Sequence, residues 1–174
     1  MSAVSASIIS RIFLSDQPAF SVPAYPLHHL GEIPIYIVLG VLAAFLAVLF
    51  IRVLYQAEAL FDGWKLSPWM KTAVGMLLTA LIALLLPERQ VLGPGLHLIG
   101  DAIAENVNLS LGVLAAMLGL KLLATSFTLG AGNSGGVFAP ALFMGATLGG
   151  MVGQVANSFW PEVAINPGAY AIVG

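Results

Sequence analysis

The residues whose types and spacing could do chemistry lie between Gly130 and Pro140. The chain there reads Gly130-Ala131-Gly132-Asn133-Ser134-Gly135-Gly136-Val137-Phe138-Ala139-Pro140. This polar, flexible turn interrupts forty residues, Leu122 to Pro161, that hold no charged side chain. Irregular backbone at membrane depth survives only where protein or a water-filled cavity satisfies its N–H and C=O groups. Ser134 or Gly135 is the expected N-cap of the helix that follows, starting inside the bundle. The N–H groups of Gly136, Val137, Phe138 and Ala139 are then without intrahelical partners. Pro140 offers no N–H and fits a first helical turn. Free N–H groups at a helix start attract anions. With no Lys, Arg, Asp or Glu in the turn, an anion would meet backbone dipoles, each helix end worth ~0.3–2 kcal/mol. That weak hold suits an ion that must enter and also leave. The competing reading is a glycine-rich hinge between two packed helices.

Composition sets the surroundings. The chain is 59% hydrophobic and 8% charged, with mean hydropathy +0.98. Soluble domains carry about 25% charged residues, so a membrane setting is expected. Six Lys and Arg against eight Asp and Glu leave no basic footprint for nucleic acid. No cysteine is present, which removes disulfides and thiolate chemistry. No nucleophile, base and orienting group fall together, so an enzyme is not expected, nor a cofactor or a metal site. The 174 residues allow one transmembrane domain and no separate soluble one.

Four apolar spans would position the turn. Ile33–Ile51 is uncharged and about 28 Å long as a helix; no breaker precedes Gly63, so the helix should run on through Arg52, Glu58 and Asp62. Thr72–Leu86 is shorter and stops at Pro87. Asn108 to about Leu129 is interrupted only by Lys121, and Gly136–Trp160 is closed by Pro161. Ser2–Leu14 and Pro167–Gly174 are partial elements, and the last reads as the start of a further apolar helix, as in a piece of a longer protein. Arg52, Lys65 and Lys71 place 52–71 on the cytoplasmic side by the positive-inside tendency. Trp64, Trp69 and Trp160 stand near span ends, as interfacial anchors do. Ala141, Gly145, Gly149 and Gly153 recur every four residues, so one face of the fourth span is small enough for another helix to approach closely. Packing without any ligand accounts for that stripe.

Gly136-Val137-Phe138-Ala139-Pro140 resembles the G-x-F-x-P signature of the CLC family, the voltage-gated chloride channels and chloride/proton exchangers. Lys121 to Gly135 is similar to the helix and turn before that signature in bacterial members, and Phe143-Met144-Gly145-Ala146-Thr147-Leu148-Gly149-Gly150 continues the likeness. The resemblance implies an all-α, polytopic membrane helix bundle with a broken helix, here the end of the first and most of the second inverted repeat. It implies chloride as the transported ligand, held by the backbone N–H groups of Val137 and Phe138. Gly136 would allow close approach and Phe138 would line the pathway. Lys121 matches a basic position, whose expected partner is a carboxylate or a helix carbonyl inside the bundle. A homodimer in the bacterial inner (plasma) membrane is also implied. The family's G-S-G-I-P and G-x-E-G-P segments have no counterpart in this chain, nor do its late tyrosine and its cystathionine-synthase-type regulatory domains. A piece holding part of the site should not conduct alone.

The remaining polar residues read as solvated. His28 and His29 lie in a loop between prolines. His97, Asp101 and Glu105 share one face of a short helix, where a cation or a pH response is the sharper alternative. Glu88-Arg89 is an interfacial pair worth little. The alternative function is a different inverted-repeat transporter that takes a small carboxylate or phosphate-type anion at its broken helix.

Overall fold

The computed structural model describes residues 30–85, 110–164 and 166–174, with positions 4, 6, 8, 9, 12, 13, 25, 92, 93, 95, 99 and 100. Among the described residues, five helices with defined bounds follow in order: α1 (Glu32–Asp62), α2 (Pro68–Leu84), α3 (Leu111–Gly130), α4 (Phe138–Phe159) and α5 (Pro167–Val173). No strand occurs among the described residues. The fold is an all-α bundle. His28, His29, Glu88, Arg89, His97, Asp101 and Glu105 lie outside the described residues.

Local signals fix the helix ends. α1 carries Glu32 in its first turn, where a carboxylate opposes the helix dipole. It runs unbroken through Arg52 and Glu58 to Gly63, whose N–H donates to Ala59 O at 3.1 Å. α2 opens with Pro68, where a missing N–H costs nothing. Ser110 caps α3, its Oγ accepting from Val113 N at 3.4 Å.

α1, α3 and α4 are each long and apolar enough to cross a membrane; α2, at 17 residues, is shorter. Polarity is reversed relative to a soluble domain. Glu32, Lys121, Thr125, Ser126 and Thr147 are buried, while Ile37, Val41, Phe45 and Val48 of α1 are exposed. Polar groups that face a bundle interior and apolar ones that face outward are what lipid selects.

α3 is central, packed against α1, α2 and α4. Phe61 at the end of α1 meets the Phe127 ring edge-on, centroids 6.5 Å apart. α2 meets α3 at Gly75, where a methyl group would sit 3.0 Å from Phe127 O. One turn further, Thr79 Oγ1 lies 2.9 Å from Thr128 Oγ1 and 3.3 Å from Ala124 O. Thr128 also donates back to Ala124 O at 2.7 Å. The part-buried hydroxyls join the two helices. Thr79→Val keeps the shape and removes this link, so thermal unfolding in detergent should report a loss of about 0.6 kcal/mol. An unchanged melting temperature would reduce the Thr79 contact to packing.

α5 lies along the small-residue face of α4. Methyl groups at Gly145, Gly149 and Gly153 would run into the backbone of Gly174, Tyr170 and Pro167 respectively. Tyr170 in turn stacks on Tyr36 of α1, centroids 4.8 Å apart. α5 is thus wedged between α4 and the start of α1.

Candidate anion site at the start of helix α4

The turn before α4 is built by the end of α3. Asn133 N donates to Thr128 O at 3.2 Å and Gly132 N to Leu129 O at 2.9 Å. This paired arrangement closes a helix when the residue past the cap adopts a left-handed conformation. Gly132 does so, with φ +82°. Asn133 also reaches back to α2, its Nδ2 3.5 Å from Thr72 O. The turn is therefore anchored to α2 and α3 before the chain enters α4.

α4 starts later than the sequence alone predicts. Its N-cap is Val137, with φ −90° and ψ −19° and no side-chain capping bond, rather than Ser134 or Gly135. Gly135-Gly136 stays in the turn. Pro140 falls in the first turn, and Ala141 N donates to Val137 O at 3.0 Å, the first bond of the helix. No described carbonyl accepts from the N–H groups of Gly136, Val137, Phe138 or Ala139. Among the described residues, these four consecutive donors have no acceptor.

Six of the seven turn and helix-start residues singled out by sequence come together. Ser134, Gly135, Gly136, Phe138, Ala139 and Pro140 line a cavity of about 600 Å³, whose opposite wall is Thr79 of α2 and Lys121, Thr125 and Thr128 of α3. The seventh, Val137, faces a separate groove with Phe50, Met144 and Gly145, where Phe138 also has one edge. The helix start is not enclosed. Residues 134–138 are exposed and Phe138 is 79% accessible, because the described helices wall the cavity on one side only.

Lys121 corrects a second expectation. The turn itself holds no charge, yet this ammonium, seventeen residues before Phe138 in sequence, lines the same cavity. It is buried, with 2% accessible surface. Nζ donates to Gly93 O at 2.6 Å and sits 5.0 Å from the centre of the Phe143 ring. The carbonyl that Nζ reaches belongs to a bend at Gly93, not to a helix as the sequence leads one to expect. The wall hydroxyls of Thr79, Thr125 and Thr128 escaped the sequence reading. Lys121, Thr125 and Thr128 do recur at i, i+4 and i+7, and that spacing is a signal for one polar face.

Residues 1–174 match the family model described as voltage gated chloride channel. The chain is 32% identical over its whole length to "Chloride channel protein CLC-f" of Arabidopsis thaliana, covering 24% of that protein. It is 31% identical, again over its whole length, to "H(+)/Cl(-) exchange transporter ClcA" of Vibrio vulnificus, covering 37% of it. "Chloride channel protein CLC-e" of Arabidopsis thaliana is 32% identical, with 26% of it covered. The chain thus spans about a quarter to somewhat over a third of these relatives. Its three membrane-length helices and the family match together make it part of a membrane protein. By a match that runs from its first residue to its last, the chain belongs to the voltage-gated chloride channel (CLC) family.

Proposed function

We propose that this chain is part of a single transmembrane domain that carries chloride across a membrane, as a chloride channel or a chloride/proton antiporter. The anion is held at the start of α4 by the N–H groups of Gly136, Val137, Phe138 and Ala139. The observation that carries the reading is that no described residue accepts from these four donors, and that Gly136, Phe138 and Ala139 line a cavity. Unsatisfied donors at membrane depth are costly, and an anion supplies the missing acceptor. The chloride channels and chloride/proton exchangers among its relatives support chloride over the carboxylate or phosphate reading. The bacterial relatives support a bacterial plasma membrane, and assembly as a homodimer rests on the resemblance alone.

The test is anion flux into liposomes carrying the complete protein. Chloride should pass in strong preference to phosphate, because backbone dipoles and one ammonium cannot repay the dehydration of a larger, more highly charged anion. Preferred phosphate flux would overturn the proposal.

A further inference from the structure

Four N–H donors serve an anion only if they point together, yet the chain that carries them is easily bent. Gly132, Gly135 and Gly136 all precede Val137, and glycine restrains its own backbone least of all residues. The contacts that steady this turn come from α2. Thr72 Oγ1 donates to Ala131 O at 3.3 Å, and the Thr72 carbonyl accepts from Asn133 Nδ2 at 3.5 Å. Ala131 is buried and is the C-cap of α3. The last carbonyls of a helix have no partner within it, so a hydroxyl from a neighbouring helix supplies one. Gly75, one turn further along α2, lets the helices come this close. A methyl group there would run into the Ala131 side chain and stand 3.5 Å from Asn133 Nδ2. Beyond Asn133 the chain is exposed over 134–138, and its next backbone bond among the described residues is from Ala141 N to Val137 O. Asn133 is thus the last point held firmly before the donors.

We propose that Thr72 and Asn133 are positioning residues of the anion site: through them α2 clamps the turn on both sides of Gly132 and aims the N–H groups of Gly136 to Ala139. This rests on the chloride reading of the α4 start and adds to it the element that orients the donors. Neither residue is among those that line the cavity, so both act through the backbone and not by touching the anion. Hydrogen bonds weaken steeply once the donor angle departs from linear. A turn released from α2 samples many donor directions, and binding must then order it at a cost in affinity.

The test is chloride flux in liposomes with the complete protein, read as the half-saturating chloride concentration separately from the maximal rate. Thr72→Val keeps the shape of the side chain and removes the donor to Ala131 O. It should raise the half-saturating concentration about two- to tenfold, what one hydrogen bond is worth. Thr72→Ser keeps the hydroxyl and should restore a value near wild type. Asn133→Ala removes the second arm of the clamp and should shift half-saturation in the same direction as Thr72→Val. A contact that only stabilised the bundle would change yield and melting temperature and leave half-saturation alone. A folded Thr72→Val protein with unchanged half-saturation would therefore overturn the proposal, as would a Thr72→Ser protein as impaired as Thr72→Val. If Thr72→Val does not fold, an unchanged value in Asn133→Ala overturns it instead. Lost flux in Val137→Pro with Thr72→Val silent leaves the chloride reading standing and removes only the clamp. Unchanged flux in Val137→Pro removes both.

Discussion

Val137→Pro should lower chloride flux by roughly 10- to 150-fold in liposomes carrying the complete protein, whereas Val137→Ala should leave it near wild type. Proline removes a single N–H, and hydrogen bonds to charged groups are worth ~1.5–3 kcal/mol each. The position tolerates the ring. Val137 is the N-cap, its φ of −90° is close to proline's range, and its N–H makes no bond within the described protein. The first helical bond, from Ala141 N to Val137 O, survives because proline keeps its carbonyl. Proline also restrains Gly136 to extended conformations, which shifts a second donor of the set. The valine side chain turns away into the groove beside Phe50 and Met144, so trimming it to alanine leaves the cavity untouched. Equal flux in Val137→Pro and wild type would remove the backbone-donor mechanism, whatever the family.

The contrast between Val137 and Lys121 shows what the sequence could carry. The helices were legible because apolar runs and their stops are local: Gly63 ends α1, Pro167 opens α5, and the glycine ladder marks the α4 face that α5 covers, although α2 starts four residues before the Thr72 that opened its apolar run. The position of the α4 cap was misjudged by two or three residues, since Ser134 has a good capping side chain yet the helix begins only after Val137. The cavity's second wall was not legible. Lys121 pairs with a backbone carbonyl 28 residues away, and a carbonyl carries no residue-type signature. Thr79 and Thr128 meet across 49 residues with hydroxyls that also bond inside their own helices. Such contacts depend on how α2 and α3 pack, which the pattern of either helix alone does not determine. Counting charge along the turn gave an uncharged site, yet among the described residues Lys121 lines the same cavity.

Gly149→Leu should prevent α5 from docking, so that the complete protein is recovered in low yield and as an aggregate in detergent. Even the first carbon of a side chain at this position would overlap the Tyr170 carbonyl oxygen, 2.6 Å from Tyr170 C and 2.9 Å from Ala171 Cα. These are backbone atoms and cannot rotate away, so the whole of α5 must shift. That shift would unstack Tyr170 from Tyr36 and separate Gly153 from Pro167, whose carbonyl oxygen lies 2.6 Å from where a methyl group would stand. Overpacking a dense core costs ~1–3 kcal/mol even where side chains can adjust; here they cannot, and the loss should exceed that range. Gly150 provides the control on the same helix. The first carbon of a side chain there meets nothing within 4 Å, so Gly150→Leu should be far better tolerated than Gly149→Leu, folding and melting closer to wild type. Comparable size-exclusion profiles and melting temperatures for the two variants would show that the small-residue face of α4 does not require backbone-to-backbone approach. If Gly149→Leu alone collapses, glycine at this position is explained by the carbonyl of Tyr170 and needs no ligand.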